Sequence, residues 1–246
     1  MISVVGSYKY MIEAYLSDFR GKATLPMIGG FMLQAATRHA EERGFGYSNM
    51  TKLNRVWVLT RMAIEIFEYP ANDTEITLHT WVSDVNKLFT ERCFSIENSE
   101  GKEIGFTRSL WASIDMETRR PTNVLELEGL TDFKSDKICP IEPAGKILLL
   151  KDRTEPVTSF VVKYSDIDIN KHLNSMKYIE HFVDIFPLSM YQGGEIRKLE
   201  INYIFEGKYG TMLNIERKEI ATDVFSLEMT HDDKVICTSK VTWQKL

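Results

Sequence analysis

Two stretches of this 246-residue chain follow one plan, and that repetition limits the folds open to it. The first runs from an extended segment, Ser7–Tyr15, through Leu25-Pro26-Met27-Ile28-Gly29-Gly30 to a helix predicted over Phe31–Arg43. Met32, Ala35, Ala36 and His39 share one face of that helix, and Gly44 supplies a stop. Four strands follow: Arg55–Glu68 and Glu75–Ser83, rich in Val, Ile, Thr and Trp, and then Phe89–Glu97 and Glu103–Asp115. The second stretch repeats the order. An extended segment, Thr158–Tyr164, precedes a helix over Ser175–Phe186, a loop at Met190–Gly194, and strands at Arg197–Phe205, Met212–Ile220, Val224–His231 and Lys234–Trp243. Local words recur too. Ile66-Phe67-Glu68 returns as Ile204-Phe205-Glu206, which puts Glu68 at the position of Glu206.

A helix followed by an antiparallel meander, stated twice, predicts a duplicated α+β unit. Each unit is expected to wrap a curved sheet around one central helix, so the chain reads as a tandem, or double, hotdog. The expected boundaries are residues 1–130 for the first unit, 131–153 for a linker carrying Pro140 and Pro143, and 154–246 for the second. A net charge of -5 provides no general basic field for nucleic acid. No apolar run approaches the roughly 20 residues of a membrane helix. Glu13, Asp18 and Arg20 interrupt the N-terminal region, which does not read as a signal or transit peptide. Cys93, Cys139 and Cys237 are dispersed, so neither a disulfide framework nor a metal site is expected. A cytoplasmic location with reduced thiols fits these features, and no cofactor is expected.

The halves differ in one loop. Asp168, Asn170 and His172 stand two residues apart in Ser165-Asp166-Ile167-Asp168-Ile169-Asn170-Lys171-His172-Leu173-Asn174. In an extended segment the three polar groups share one face, and Ile167 and Ile169 anchor the other. Asn174 reads as an N-cap ahead of Met176, Ile179, Val183 and Phe186. The first-half counterpart, Ser17-Asp18-Phe19-Arg20-Gly21-Lys22-Ala23-Thr24, keeps an aspartate but has neither Asn nor His. A carboxylate, an amide and an imidazole beside a helix N-terminus suit the handling of an oxyanion.

Asp168-Ile169-Asn170-Lys171-His172-Leu173-Asn174 with Lys177-Tyr178-Ile179 resembles the catalytic loop of acyl-acyl carrier protein thioesterases. Arg55-Val56-Trp57-Val58-Leu59-Thr60-Arg61-Met62, Tyr69-Pro70, Thr80-Trp81-Val82 and Thr118-Arg119-Arg120-Pro121 are similar to that family's pattern as well. The resemblance implies a double hotdog that hydrolyses the thioester between a fatty acyl chain and the phosphopantetheine arm of an acidic carrier protein. It places catalytic roles on Asp168, Asn170, His172 and Glu206. Where plant members often carry a cysteine after that glutamate, this chain has Gly207, so attack by water is expected. Met27, Gly29, Phe31, Met32 and Ala36 are expected to line the acyl chain, and Lys163, Lys171, Lys177, Arg197 and Lys198 to receive the carrier. An acyl-coenzyme A hydrolase, a hydratase and a non-catalytic acyl-binding module are the other readings. Both a monomer and a homodimer fit.

Overall fold

The computed structural model describes residues 3–150 and 155–246. The chain divides into two units. One comprises the residues up to Thr60 with Ile64–Pro143, the other Arg61–Ala63 with Ala144–Leu246.

In the N-terminal unit, β1 (Gly6–Met11) leads to helix α1 (Leu25–Glu41) and a short helix, α2 (Tyr47–Met50). Four strands complete it: β2 (Arg55–Ile66), β3 (Glu75–Val85), β4 (Phe89–Glu97) and β5 (Glu103–Asp115). They lie in the order β1-β3-β4-β5-β2. The β4–β5 turn is closed by Asn98, whose Oδ1 accepts from the backbone N–H of Glu100 and Lys102, with Gly101 at φ 80°. Such a left-handed turn position favours glycine because it has no Cβ.

Helix α1 begins six residues earlier than the sequence suggests. Thr24 caps it by accepting from Met27 N, and Pro26 falls in the first turn, where a missing N–H costs nothing. Gly29 and Gly30, which read as a loop, are absorbed into the helix. Its inward face carries Leu25, Ile28, Gly29, Met32, Ala35, Ala36 and His39, all buried. The alanines and glycine let this stripe lie close to the sheet.

The C-terminal unit repeats the topology. It contains β6 (Thr158–Val161), α3 (Ser175–Asp184), α4 (Leu188–Gly193), β7 (Gly194–Tyr203), β8 (Met212–Ala221), β9 (Val224–His231) and β10 (Lys234–Lys245). Its strand order, β6-β8-β9-β10-β7, is that of the first unit with every label raised by five. The architecture is a double hotdog of α+β units. One segment expected as a loop is helical: α4 follows Pro187, and Tyr191 OH donates to Val183 O at 2.7 Å while its ring packs on Trp243. Ser135–Leu150, which spans the end of the first unit and the start of the second, has neither helix nor strand. The last linker residues, 151–153, and the expected start of the second unit at 154 lie outside the described residues. No described helix is long and apolar enough to cross a membrane.

His39 shows how tightly the first unit closes. Arg92 Nη1 donates to His39 Nδ1 at 3.0 Å, and His39 Nε2 lies 3.3 Å from Val4 O. Burial first, then the charges of Arg92 and Arg43, push the imidazole down from 6.5 to about 3. The folded state therefore keeps His39 neutral, while the unfolded chain takes up a proton below 6.5. The stability due to this neutral histidine is intact above pH 6.5. It is lost as pH falls towards 3, by up to about 1.4 kcal/mol per pH unit. In urea titrations, the stability gap between the parent and His39→Gln should narrow steadily from pH 7 to pH 4. Parallel stability curves would refute the assignment.

Candidate active site

The loop before α3 is a closed turn, not the extended segment suggested by its alternating residues. Asp168 N donates to His172 O at 2.9 Å, and Lys171 N donates to Asp168 O at 3.0 Å. Lys171 sits at φ 65°, and Ile167 bridges to Leu173. At the centre, Asp168 Oδ1 accepts from Asn170 N at 2.8 Å and His172 N at 3.3 Å. A carboxylate that gathers local N–H groups is a strong turn-former. Ile169, expected to anchor the loop, instead points to solvent at 74% exposure.

The first unit contains the same turn. Asp18 N donates to Lys22 O, Gly21 N donates to Asp18 O, and Asp18 Oδ1 accepts from Arg20 N and Lys22 N. Ser17 bridges to Ala23 as Ile167 does to Leu173. Asp18 thus corresponds to Asp168, Arg20 to Asn170 and Lys22 to His172. The aspartate builds the turn in both units; the amide and imidazole are present in one. Asp168 acts on Asn170 and His172 through their backbone N–H groups, not through their side chains. In the first unit Arg20 folds back onto Asp18 with an Nη2–Oδ2 distance of 2.8 Å. Asn170 is shorter and exposed.

His172 and Glu206 come together. His172 Nε2 lies 3.0 Å from Glu206 Oε2, and both side chains remain partly open to solvent. Backbone register corrects the pairing of Glu206 with Glu68. Leu173 N donates to Gly207 O as Ala23 N donates to Pro70 O. Ile204 and Phe205 share the carbonyl of Ile236 as Phe67 and Glu68 share that of Ile104. Gly207 therefore corresponds to Pro70 and Glu206 to Tyr69. Glu68 is one position off and binds Lys102 at 2.6 Å.

Tyr178 braces this corner, a part that reading the sequence did not assign. Its hydroxyl accepts from Gly207 N at 2.8 Å and lies 3.4 Å from Phe205 O, so one α3 side chain holds the residues on both sides of Glu206. Burial pushes the phenol well above its usual range, keeping it neutral. The signal was its position four residues after the Asn174 cap, one helical turn into α3. Gly207 has no room to spare: a Cβ there would stand 3.1 Å from Leu173 Cβ and 3.2 Å from Tyr178 OH. That crowding explains a glycine after Glu206.

Asn174 caps α3, its Oδ1 accepting from Met176 N at 2.8 Å. Lys177 N already donates to Asn174 O. The helix N-terminus is consequently less open to an oxyanion than its sequence suggests, and Ser175 N–H is the amide left over in the first turn. Among the described residues, no group of three or more His, Cys, Asp and Glu is arranged to hold a metal ion.

The other expected residues are more scattered. Lys177 is engaged by Glu180 at 2.7 Å, and Lys198 Nζ lies 3.8 Å from Glu200. Arg197 is half-buried on β7, whereas Lys163 and Lys171 are exposed beside the loop. Gly29, Met32 and Ala36 are buried in α1, and Met32 Sδ accepts from Thr107 Oγ1. Met27 and Phe31 are half-buried on the other side of the helix, with Phe31 stacked on Tyr10 at 4.5 Å.

Residues 4–128 match the family model for the acyl-ACP thioesterase N-terminal domain, and residues 150–245 match that for the C-terminal domain. The chain belongs to the acyl-ACP thioesterase family. An acyl-ACP thioesterase structure from Bacteroides thetaiotaomicron is 38% identical, with a TM-score of 0.93 and 98% of each chain covered. The 12:0-ACP thioesterase from Umbellularia californica shares the fold at 17% identity, with a TM-score of 0.89, covering 100% of this chain and 99% of that one. Among curated relatives, oleoyl-acyl carrier protein thioesterase 2 of Arabidopsis thaliana, a chloroplastic protein, is 26% identical over 79% of this chain. The palmitoyl-acyl carrier protein thioesterase of Gossypium hirsutum, also chloroplastic, is 29% identical over 81%. The chain matches 58% and 51% of the lengths of these two relatives.

The paired turns make a prediction of their own. Asp18→Ala and Asp168→Ala should each lower stability by about 1–3 kcal/mol, because each frees two backbone N–H groups from a carboxylate. Only Asp168→Ala should shift the His172 ring resonances, measured by NMR. Equal disturbance of His172 by both variants would contradict separate turns.

Proposed function

We propose that this protein hydrolyses fatty acyl-acyl carrier protein thioesters, releasing a free fatty acid, and that the His172–Glu206 pair is the proton-transfer centre. The observation that carries this reading is that pair, 3.0 Å apart and partly open to solvent, on a turn whose twin has Lys22 and Tyr69 instead. With Nε2–H donating to Glu206, His172 offers the lone pair of Nδ1 to a water molecule. The water oxygen attacks the thioester carbonyl carbon as its proton passes to the His172–Glu206 pair. The carbonyl oxygen becomes an oxyanion, which the Asn170 amide and Ser175 N–H stabilise. The C–S bond then breaks, and the departing pantetheine sulfur recovers the proton. No cysteine is needed. Gly207 occupies the position after Glu206, and Cys237 is fully buried, its thiol pushed up by that burial.

Positioned proton transfer typically contributes about a hundred- to ten-thousand-fold. His172→Ala and Glu206→Gln should therefore lower kcat for thiol release from acyl-carrier substrates by about that factor. Asn170→Ala should lower it by about a hundred- to a thousand-fold, as expected for an oxyanion donor. Acyl-carrier binding without thiol release by the parent would refute the hydrolase and leave the acyl-binding module.

The carrier surface is also a proposal, and its centre differs from the cluster suggested by sequence. Lys163 and Lys171 are exposed, near Tyr164 at 88% and Ile169 at 74% exposure in the chain, and Tyr209 at 71% precedes Gly210, whose N–H donates to Val162 O. Basic side chains interleaved with exposed apolar ones suit an acidic carrier that delivers a pantetheine arm. Reversing Lys163 and Lys171 to Glu should raise KM for acyl-carrier protein by about ten-fold or more. It should leave turnover of a matched acyl-coenzyme A unchanged. Equal effects on both substrates would remove these lysines from carrier recognition.

A further inference from the structure

Outside this site, the most developed cluster of reactive groups lies on the other unit. The segment after β5 returns across the sheet as a strap. Ser135 N donates to Val82 O at 2.9 Å. Lys137 Nζ sits 4.7 Å from the Trp81 ring centre and 3.2 Å from Ser95 Oγ. Arg108 Nη1 donates to Ile141 O at 3.1 Å. Beside the strap is a cleft of about 630 Å³ lined in part by Ser83, Glu91, Cys93, Arg108, Lys137 and Cys139.

Two of those residues are cysteines on facing elements of the cleft wall, Cys93 on β4 and Cys139 on the strap, and each thiol is the largest influence on the other's ionisation. Cys93 Sγ donates to Ser83 Oγ at 3.3 Å, and Cys139 Sγ lies 3.8 Å from Thr107 O. Cys93 stands opposite Arg108 in the β4–β5 register, and Arg108 Nη2 is 2.6 Å from Glu91 Oε1. Cys93 is fully buried and Cys139 partly exposed. Both are free thiols in this structure.

We propose that Cys93 and Cys139 are an oxidant-responsive pair that forms a reversible disulfide, fastening the 135–141 strap to β4. The assignment is independent of the hydrolase reading. Their surroundings divide the roles. The neighbouring Cys93 thiol, the Ile141 backbone and the Arg108 charge favour the Cys139 thiolate, whereas the Cys139 neighbour and burial hold Cys93 as a thiol. A low thiol pKa and access to solvent select the sulfur that reacts first.

With a peroxide as oxidant, the Cys139 thiolate attacks one peroxide oxygen. The O–O bond breaks, and the other oxygen leaves as hydroxide, protonated to water. Cys139 is now a sulfenic acid. Cys93 attacks its sulfur, forming the S–S bond and breaking S–O. The Cys93 proton departs with that hydroxide as a second water. Two thiols are oxidised and one peroxide is reduced, so the electrons balance. A dithiol reductant reverses the step by thiol–disulfide exchange.

The test uses the folded parent protein, treated with hydrogen peroxide in slight excess, then quenched by alkylation and analysed by intact mass and peptide mapping. The expected result is loss of two hydrogens, a Cys93–Cys139 linked peptide, recovery with dithiothreitol, and Cys237 left as a thiol. Closing a loop of about 45 residues should raise Tm by about 5–10 °C. Cys93→Ser should accumulate a dimedone-reactive sulfenic acid at Cys139, and Cys139→Ser should form no link. Cys139 oxidised to sulfinic acid in the parent while Cys93 stays reduced would overturn the proposal. So would a Cys139-linked dimer, or no change in mass.

Discussion

A single aspartate in each unit, accepting two N–H groups two and four residues ahead of it, fixes the path of the chain into the central helix. Without it, the segment between the first strand and the helix has no regular partner, since Ile167–Leu173 is only an isolated bridge. With it, the residue four after the aspartate is carried towards the strand end that follows the helix. In the first unit that residue is Lys22, whose Nζ reaches Tyr69 O at 3.2 Å. In the second it is His172, which reaches Glu206. One backbone device thus places a long cation in one unit and an imidazole in the other. Chemistry is a matter of which side chain occupies a prepared position.

This explains why the duplication was legible and the detailed site less so. Strand and helix periodicity depends on which face is buried, and burial is written directly into residue type. The strands β4 and β5, with their Phe, Ile and Trp, fall on the residues expected of them. The start of α1 was obscured because Pro26, Gly29 and Gly30 read as breakers. Pro26 is tolerated because it falls in the first turn behind the Thr24 cap, and Gly29 lies on the buried face, a tertiary fact. The alternation around Asp168 misled for a similar reason. Period-two spacing does not distinguish a strand from a turn held by a side-chain carboxylate, and Lys171 at positive φ has no sequence signature of its own.

Asn170 and His172 share a turn where a shared strand face was expected, and Asp168 sits beneath their backbone. The pairing of Glu206 with His172 bridges residues 34 apart in sequence, and no local pattern foretells it. Resemblance to a family supplied that expectation, and the 3.0 Å contact supplies its physical content.

The one-residue offset between Glu68 and Glu206 carries a last step of reasoning. Matching by letters aligns Ile66-Phe67-Glu68 with Ile204-Phe205-Glu206; matching by hydrogen bonds aligns Glu206 with Tyr69. Tyr69 is 5% exposed, so this position in the first unit is closed by an aromatic ring. The second unit has a carboxylate there, and the bracing phenol comes from α3, as Tyr178. A glycine next to Glu206 lets that phenol approach the backbone to 2.8 Å. The glutamate, the glycine and the tyrosine therefore form one device. A Cβ at Gly207 would press on Leu173 and on the Tyr178 hydroxyl that holds the backbone beside the carboxylate, which is why the three residues are best understood together.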